Sequence, residues 1–473
     1  MTSSTVVDAL LARMTLEEKI GQMLAFGFSG SYPHPDILRM IERYHVAGFR
    51  VTPAGRKFVR YLKPGSPGEA RVVRPPEPDE REYGASLPAP ALPPAGYAAV
   101  LNTLRQRSLE TGAGIPLYFA LDLEGNLSLD YYAPGMAGFP HPMGLAQSGD
   151  PDLCRRVARS IGRQMAAVGI NWIHSPTLDV NTDPHNPEIN TRSYGPDPGI
   201  VAEYATQTLR GFDEAGILAT GKHFPGRGHS ALDAHFDVPV IGESRARLDA
   251  IHLAPYRALI RAGLPAIMLA HSIFPALDPS RNLATLSRSI ITGLLREELG
   301  FDGVVMTDSF TMGGLANQFE IPDAAIAAIA AGVDLILLKD ENALRGEVYA
   351  ALLAAVRERR LSEDRVERAV RRVLAAKERI GLLAGSQGLV DIDRVEARLF
   401  DPEHAAVAAE AAAAATVVLR QQEGLLPLPP GARVLVVEEA SVLHRRLNDR
   451  IAYPGALHHA LLAAGVDATY TDF

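Results

Sequence analysis

From its start to about residue 340 the chain alternates short apolar runs with longer segments of helical periodicity. The runs are QMLAFGF (22–28), VAGFRVT (46–52), IPLYFALD (115–122), INWIHSP (170–176), ILATGKHF (217–224), PAIMLAH (265–271), DGVVMTD (302–308) and VDLILLK (333–339). Near-continuous apolar runs of this length predict strands covered on both faces, and their alternation with helices predicts parallel βαβ units. Eight in succession predict an α/β chain closed into a (β/α)8 TIM-type barrel. Such a barrel places its chemistry at the C-terminal ends of the strands, where the strand-to-helix loops gather. The run ends supply Asp122, His174, Lys222 with His223, His271, Asp308 and Lys339. Any strand leaving a core ends in something polar, so the convergence of several ends carries the weight rather than any one residue.

Two regions depart from this rhythm. Residues 53–95 hold ten prolines among mixed charges, which predicts an irregular insertion after the second strand, on the active face, as a solvated loop or a substrate-shaping lid. Past residue 360, EDRVERAVRRVLAAKERIGLL (363–383) predicts an amphipathic helix burying Val366, Val370, Val373 and Leu374. An alanine-rich helix follows around EHAAVAAEAAAAATVVL, and then ARVLVVEEA, a helical pattern near 455–464 and DATYTDF read as one β-α-β unit. The expected organisation is a catalytic barrel over 1–385, with the insertion at 53–95, and a linker plus truncated α/β sandwich-like unit over 386–473.

Composition narrows the function classes. Hydrophobic residues make up 47% and charged residues 22% of 473, as in a globular protein with a large core. The 47 basic against 55 acidic residues give −8 with no long basic run, which argues against nucleic acid and anionic membrane as partners. Neither a signal-like N-terminus nor an apolar stretch long enough to span a bilayer is present, and Cys154 alone forms no internal disulfide; a cytoplasmic location is expected.

The densest candidate chemistry is GKHFPGRGHSALDAH (221–235). As a metal site, His223, His229, Asp233 and His235 offer ligands without HExxH or CxxC spacing; as a phosphate cradle, PGRGHS lacks the GxxxxGK[ST] order. As an acid-base pair, Asp233 and His235 are spaced i and i+2, so both side chains can lie on one side, where a carboxylate fixes the imidazole tautomer and raises its basicity. A surface Asp-His pair has the same spacing. Asp308, ending an apolar run, can attack a carbon, bind a metal or cap the next helix. Arg192, in the turn-rich NTDPHNPEINTRSYGPDP (181–198), can clamp a polar ligand or pair with a surface acid. Trp172 and Met306 read as core.

Six segments in order, MTLEEKIGQM (14–23), DLEG (122–125), LDVNTDPHNPEINTRSYGPDP (178–198), KHFPGRGHSALDAH (222–235), LAHSIFPALDPSRNLATLS (269–287) and LREELGFDGVVMTDSFTM (295–312), resemble family 3 glycoside hydrolases, most closely their β-N-acetylglucosaminidase branch, which includes enzymes of peptidoglycan recycling. LRQQEGLLPLPPGARVLVV (419–437) resembles the opening of the sandwich domain in longer members. The resemblance implies Asp308 as nucleophile, His235 as acid/base with Asp233 as its partner, and Asp122, Arg192, Lys222 and His223 as sugar-binding residues. It implies a small carbohydrate as substrate, with no metal or cofactor, and nothing in the chain demands a partner subunit, so a monomer is expected.

The implied reaction is a double displacement: Asp308 attacks the anomeric carbon while His235 protonates the leaving oxygen, and water activated by the same histidine releases the sugar with retained configuration. A deprotonated histidine carries no negative charge to repel an incoming phosphate, so phosphorolysis is a variant of the same chemistry. Three positions depart from the branch. Asn126 replaces a second glycine in DLEGNLSLDYY, Asp130 stands near a usual substrate-binding arginine, and Arg227 stands where histidine is commoner.

Overall fold

The computed structural model describes residues 5–53, 60–61, 72–73, 92–124, 131, 133, 135–339, 343–438 and 456–472. The predicted runs form eight parallel strands: β1 (Leu24–Ser29), β2 (Gly48–Thr52), β3 (Tyr118–Leu121), β4 (Trp172–Ile173), β5 (Leu218–Phe224), β6 (Ala266–Leu269), β7 (Val304–Thr307) and β8 (Ile336–Leu338). Each pairs with the next in sequence from β1 to β7, and β8 pairs with β1 through Leu24↔Ile336, Ala25↔Leu337 and Phe26↔Leu338. The ring closes between β7 and β8 through the Met306↔Leu335 bridge, where the Thr307 amide donates to the Leu335 carbonyl at 3.1 Å. This is the (β/α)8 barrel that the alternation predicts.

Strand alternation divides the side chains between two cores. Ala25, Ala47, Tyr118, Ala120, Trp172, Leu218, Met268, Val304 and Met306 point inward and fill the barrel. Ile173, Ala219, Ile267, Leu269 and Val305 point outward and join the layer under the helices. Trp172 is fully buried, its indole nitrogen donating to Thr220 Oγ1 at 2.6 Å, so its polar atom is matched where its ring adds most to packing. The run predicted over 170–176 yields only two ladder residues, because Pro176 has no amide to give and the chain turns away into the active-face loop.

Helix Glu363–Arg379 seals the opposite end. Val366, Val370, Val373 and Leu374 are all buried, as the periodicity predicts, and Gly381, at φ 73°, ends the helix earlier than residue 383. Lys377, at 0% exposure, donates to Gln22 Oε1 at 2.8 Å and the Pro116 carbonyl at 2.9 Å, and burial holds its amine well below its ordinary pKa. Nearby, Asp334 gathers Arg296 at 2.5 Å, Arg365 at 3.2 Å and Arg372 at 3.4 Å. These buried charges lie at the closed end, before the strands begin, and the strand C-termini form the open face.

Beyond the barrel, helix Pro402–Ala415 lies on helix Pro151–Ala167: Arg156 meets Glu410 at 2.6 Å, Arg163 meets Asp401 at 3.1 Å, and Val407 and Ala411 are buried. Strands Arg433–Glu438 and Asp467–Asp472 pair in parallel in register Arg433↔Asp467, with helix Ala456–Ala463 preceding the second strand, which forms the predicted β-α-β unit. Of the proline-rich insertion, Arg60–Tyr61 and Val72–Val73 form a short antiparallel pair, and the rest of 54–91 lies outside the described residues, as do Asn126 and Asp130. Among the described residues no helix is long and apolar enough to cross a membrane.

Candidate active site

The strand ends bring two charged groups together at the mouth of the barrel. In the first, Asp122, just past β3, accepts from Arg50 of β2 at 2.7 Å and from Lys222 of β5 at 2.9 Å, with His174 at 3.7 Å. Lys222 also meets Glu124 at 2.6 Å, and Glu124 takes a two-pronged contact from Arg192 at 2.7 and 2.9 Å. Three cations are thus threaded between two carboxylates, and this mutual pairing is what permits burial of a lysine at 2% side-chain exposure. Burial alone would raise both carboxyl pKa values. Lys222 and Arg50 hold Asp122 well below its usual range instead, and Arg192 and Lys222 bring Glu124 down to about 2. Burial alone would lower Lys222, yet Asp122 and Glu124 hold it above its ordinary value. Asp122 keeps 36% side-chain exposure, so a fixed, ionised acceptor faces outward from this cluster.

His223, the next residue of β5, is held differently. Its ring Nδ1 lies 2.7 Å from Asp179 Oδ2, and its backbone amide donates to the same oxygen at 3.2 Å. The Arg227 amide donates to the other oxygen at 2.7 Å. Burial holds the imidazole well below its ordinary pKa, and burial pushes Asp179 up to about 6. A neutral ring with an acceptor at Nδ1 carries its proton there, which leaves Nε2 as a lone-pair acceptor.

The second group surrounds the expected nucleophile. Asp308 leaves the end of β7 with Oδ1 accepting the Ser309 amide at 2.8 Å and Oδ2 lying 3.8 Å from Arg227. Burial would raise its pKa, but Arg227, then His271 and His235, hold it below the usual carboxylate value. At 3.8 Å and an effective dielectric of about 20, the attraction to Arg227 is about 4 kcal/mol, an upper figure because Glu188 competes for the same guanidinium at 2.5 Å. A carboxylate kept ionised at the end of a barrel strand is suited to attack. Capping, the alternative role, has no support: the following helix Gly313–Ala316 has Met312 at its N-cap position and no side-chain cap bond.

The Asp233–His235 pair forms the compact turn that its spacing allows. Asp233 Oδ1 accepts both the His235 amide and its Nδ1–H at 2.8 Å, and the ring remains half exposed, its other nitrogen free for proton transfer. The loop carrying it is fastened to the chain just beyond Asp308: Gly313 N donates to the His235 carbonyl and Gly314 N to the Ala234 carbonyl, each at 3.1 Å. An added Cβ would lie 2.6 Å from His235 O at position 313 and 2.9 Å from Ala234 O at 314, so only glycines admit this approach.

All seven candidate residues therefore lie at the strand ends or in their loops. The four residues of the alternative metal reading are not gathered, since His223 is turned onto Asp179 and His229 onto Thr182. Glu188, Asp233 and His235 do bring ligand atoms within 4.8 Å of one another, but Arg227 already holds Glu188 and Asp233 already holds the imidazole. The sequence reading missed Arg50, Glu124, Asp179 and Glu188. Arg50 had a signal, a charge inside an apolar run; the other three lie in segments already quoted, with nothing in spacing to single them out.

Residues 15–376 match the glycosyl hydrolase family 3 N-terminal domain. The chain is 31% identical over 362 residues to β-hexosaminidase A of Pseudoalteromonas piscicida, covering 72% of this chain and 59% of that protein. It is 33% identical over 347 residues to β-N-acetylglucosaminidase/β-glucosidase of Cellulomonas fimi, covering 71% and 59%. The chain thus spans about three fifths of the length of these relatives. A family 3 β-N-acetylglucosaminidase from Paenibacillus sp. str. FPU-7 superposes with a TM-score of 0.82 at 32% identity, over 97% of this chain and 80% of that one. With three quarters of its length matched and its charged side chains converging where barrel enzymes work, the chain belongs to glycosyl hydrolase family 3.

Proposed function

We propose that this chain is a retaining, exo-acting β-N-acetylglucosaminidase that removes terminal β-linked N-acetylglucosamine from small glycosides such as muropeptide fragments or chitooligosaccharides. Asp308 is the nucleophile, His235 the acid/base, and Asp233 the group that fixes its tautomer. Asp122, Lys222, His223 and Arg192 hold the sugar, with Arg50 and Glu124 setting their positions. The observation that carries the reading is the fastening of the Asp233–His235 loop onto Gly313 and Gly314, five and six residues beyond an ionised Asp308. One loop thereby presents a proton donor to the same space that the carboxylate faces. The names of the relatives support the acetamido sugar.

In the first step Asp308 attacks the anomeric carbon and His235 gives its Nε2 proton to the leaving oxygen; in the second the same nitrogen takes a proton from water. Ionised Asp122 accepts from a sugar hydroxyl, and the free Nε2 of His223 accepts from another. The protein works as a monomer, and with buried Cys154 as its lone thiol, in the reducing cytoplasm. A second reading, β-glucosidase or phosphorylase, keeps the same Asp308 chemistry with another sugar or acceptor.

The test is nitrophenol release from a β-N-acetylglucosaminide beside the β-glucoside, with and without phosphate, for wild type and Asp308→Ala. Turnover of the acetamido sugar, abolished in the variant and indifferent to phosphate, is expected. Acceleration by phosphate would establish the phosphorylase, preference for glucose the glucosidase, and sugar binding without turnover a non-catalytic protein.

A further inference from the structure

Glu188 touches both halves of the site. Its Oε1 lies 2.5 Å from Arg227 Nη2, 3.5 Å from His235 Nδ1 and 3.7 Å from Arg192 Nη1, and its Oε2 accepts the Ala234 amide at 3.3 Å. Arg227, in turn, reaches from Glu188 to Asp308 Oδ2 with the same nitrogen. Both side chains are almost wholly buried, at 4% and 1% exposure, so neither is a surface ion pair screened by water. Among the described residues, Glu188 and Asp308 are the ion-pair partners of Arg227.

We propose that Arg227 and Glu188 are a pair of positioning residues that couple the acid/base loop to the charge of the nucleophile. Glu188 holds the loop through the Ala234 amide and lies 3.5 Å from the His235 ring that Asp233 binds, Arg227 pairs with Glu188, and the guanidinium charge left over by Glu188 keeps Asp308 ionised. The inference rests on the proposed function, since it assigns Asp308 and His235 their reacting roles. Its consequence is a pair of opposite effects from neighbouring substitutions. Removing Arg227 deprives Asp308 of its main stabilising cation and leaves behind it a Glu188 carboxylate balanced only by Arg192, at 3.7 Å and already bound to Glu124. Removing the Glu188 charge frees the whole of the Arg227 charge for Asp308. The other groups facing Asp308 are His235 from the same loop, His271 from the end of β6 and the Ser309 amide, and neither substitution removes any of the three.

The experiment is the acidic limb of kcat/KM against pH, which reports protonation of the free enzyme's nucleophile. Arg227→Gln moves the limb to higher pH by about one unit or more, and Glu188→Gln moves it to lower pH. Arg227→Lys, which keeps the charge, returns it most of the way. A pair with a merely structural role would lower kcat in both variants and leave the limb in place. That result, or shifts of the same sign, overturns the proposal. The Asp308 carboxylate band in pH-difference infrared spectra, assigned against Asp308→Asn, reads the same opposite shifts without turnover. A protein inactive on every glycoside but showing those shifts would therefore refute the functional reading alone, whereas an active one with an unmoved limb and band would refute the coupling alone.

Discussion

Replacing Gly314 by alanine tests whether the docked loop is what places the proton donor. Gly314 has no positive φ, so alanine suits its backbone; the obstacle is space. The added methyl would stand 2.9 Å from the Ala234 carbonyl oxygen and 3.0 Å from that of Asp237, where ordinary contact begins at 3.4 Å. Both oxygens belong to the loop, so it must retreat by about half an ångström and the Gly314 N to Ala234 O hydrogen bond lengthens or breaks. Losing one such bond costs about 1 kcal/mol, small beside a total stability of about 5–15 kcal/mol, and the fold survives. Catalysis is more sensitive, because a misplacement of about 1 Å can lower a rate by about 100-fold. The effect should fall only on reactions that need the proton. For a disaccharide, kcat/KM is expected to drop by about 10- to 100-fold. For the dinitrophenyl glycoside, whose leaving group departs unprotonated, it should change by less than about threefold. Equal losses on the two substrates would mean that the substitution damages sugar binding or Asp308 instead, and no loss on either would mean that the loop position is immaterial.

Three further outcomes follow from the charged clusters and packing. Lys222→Met leaves Asp122 and Glu124 facing each other without their shared cation; it should lower stability by about 3–5 kcal/mol, seen as a fall in Tm, and raise KM for whatever activity remains. Glu124, brought from 4.5 to about 2, supplies stability that is fully present above about pH 4.5 and lost as pH falls toward 2, roughly 3 kcal/mol in all. Between pH 6 and 3 the wild type should therefore lose Tm faster than Glu124→Gln, and parallel curves would refute the assignment. Ending the chain after residue 415 should leave activity and Tm almost unchanged, whereas ending it at 385 should lower Tm by several degrees through loss of the Glu410 and Asp401 ion pairs and of buried Val407 and Ala411. That contrast would set the working boundary of the barrel near 415 in place of 385.

The barrel could be read from the sequence because each strand is an apolar run that stops where the chain leaves the core, so the run ends Asp122, Lys222 and Asp308 coincide with the active face. Asp233 and His235 were legible for a local reason: a turn of two residues lets one carboxylate oxygen bind both the amide and the ring of the histidine. Glu124, Asp179 and Glu188 were not, because their partners come from other strands. Glu188 is 39 residues from Arg227 and 47 from His235, and only the pairing of β4 with β5, whose loops carry them, makes it a neighbour of both. Arg227 was visible as a departure from the family pattern, but its pairing with Asp308, 81 residues onward, is a property of the fold. Spacing reports what a turn or a helix brings together, and it is silent about contacts made across the mouth of a barrel.

The central claim is that Asp308 forms a covalent bond to the sugar. Incubation with a slowly released 5-fluoro analogue of an activated N-acetylglucosaminide, followed by peptic digestion and mass spectrometry, tests it directly. The account predicts one added glycosyl unit on the peptide containing Asp308, absent from Asp308→Ala. A label on any other residue, or full turnover of the substrate by Asp308→Ala, would contradict it.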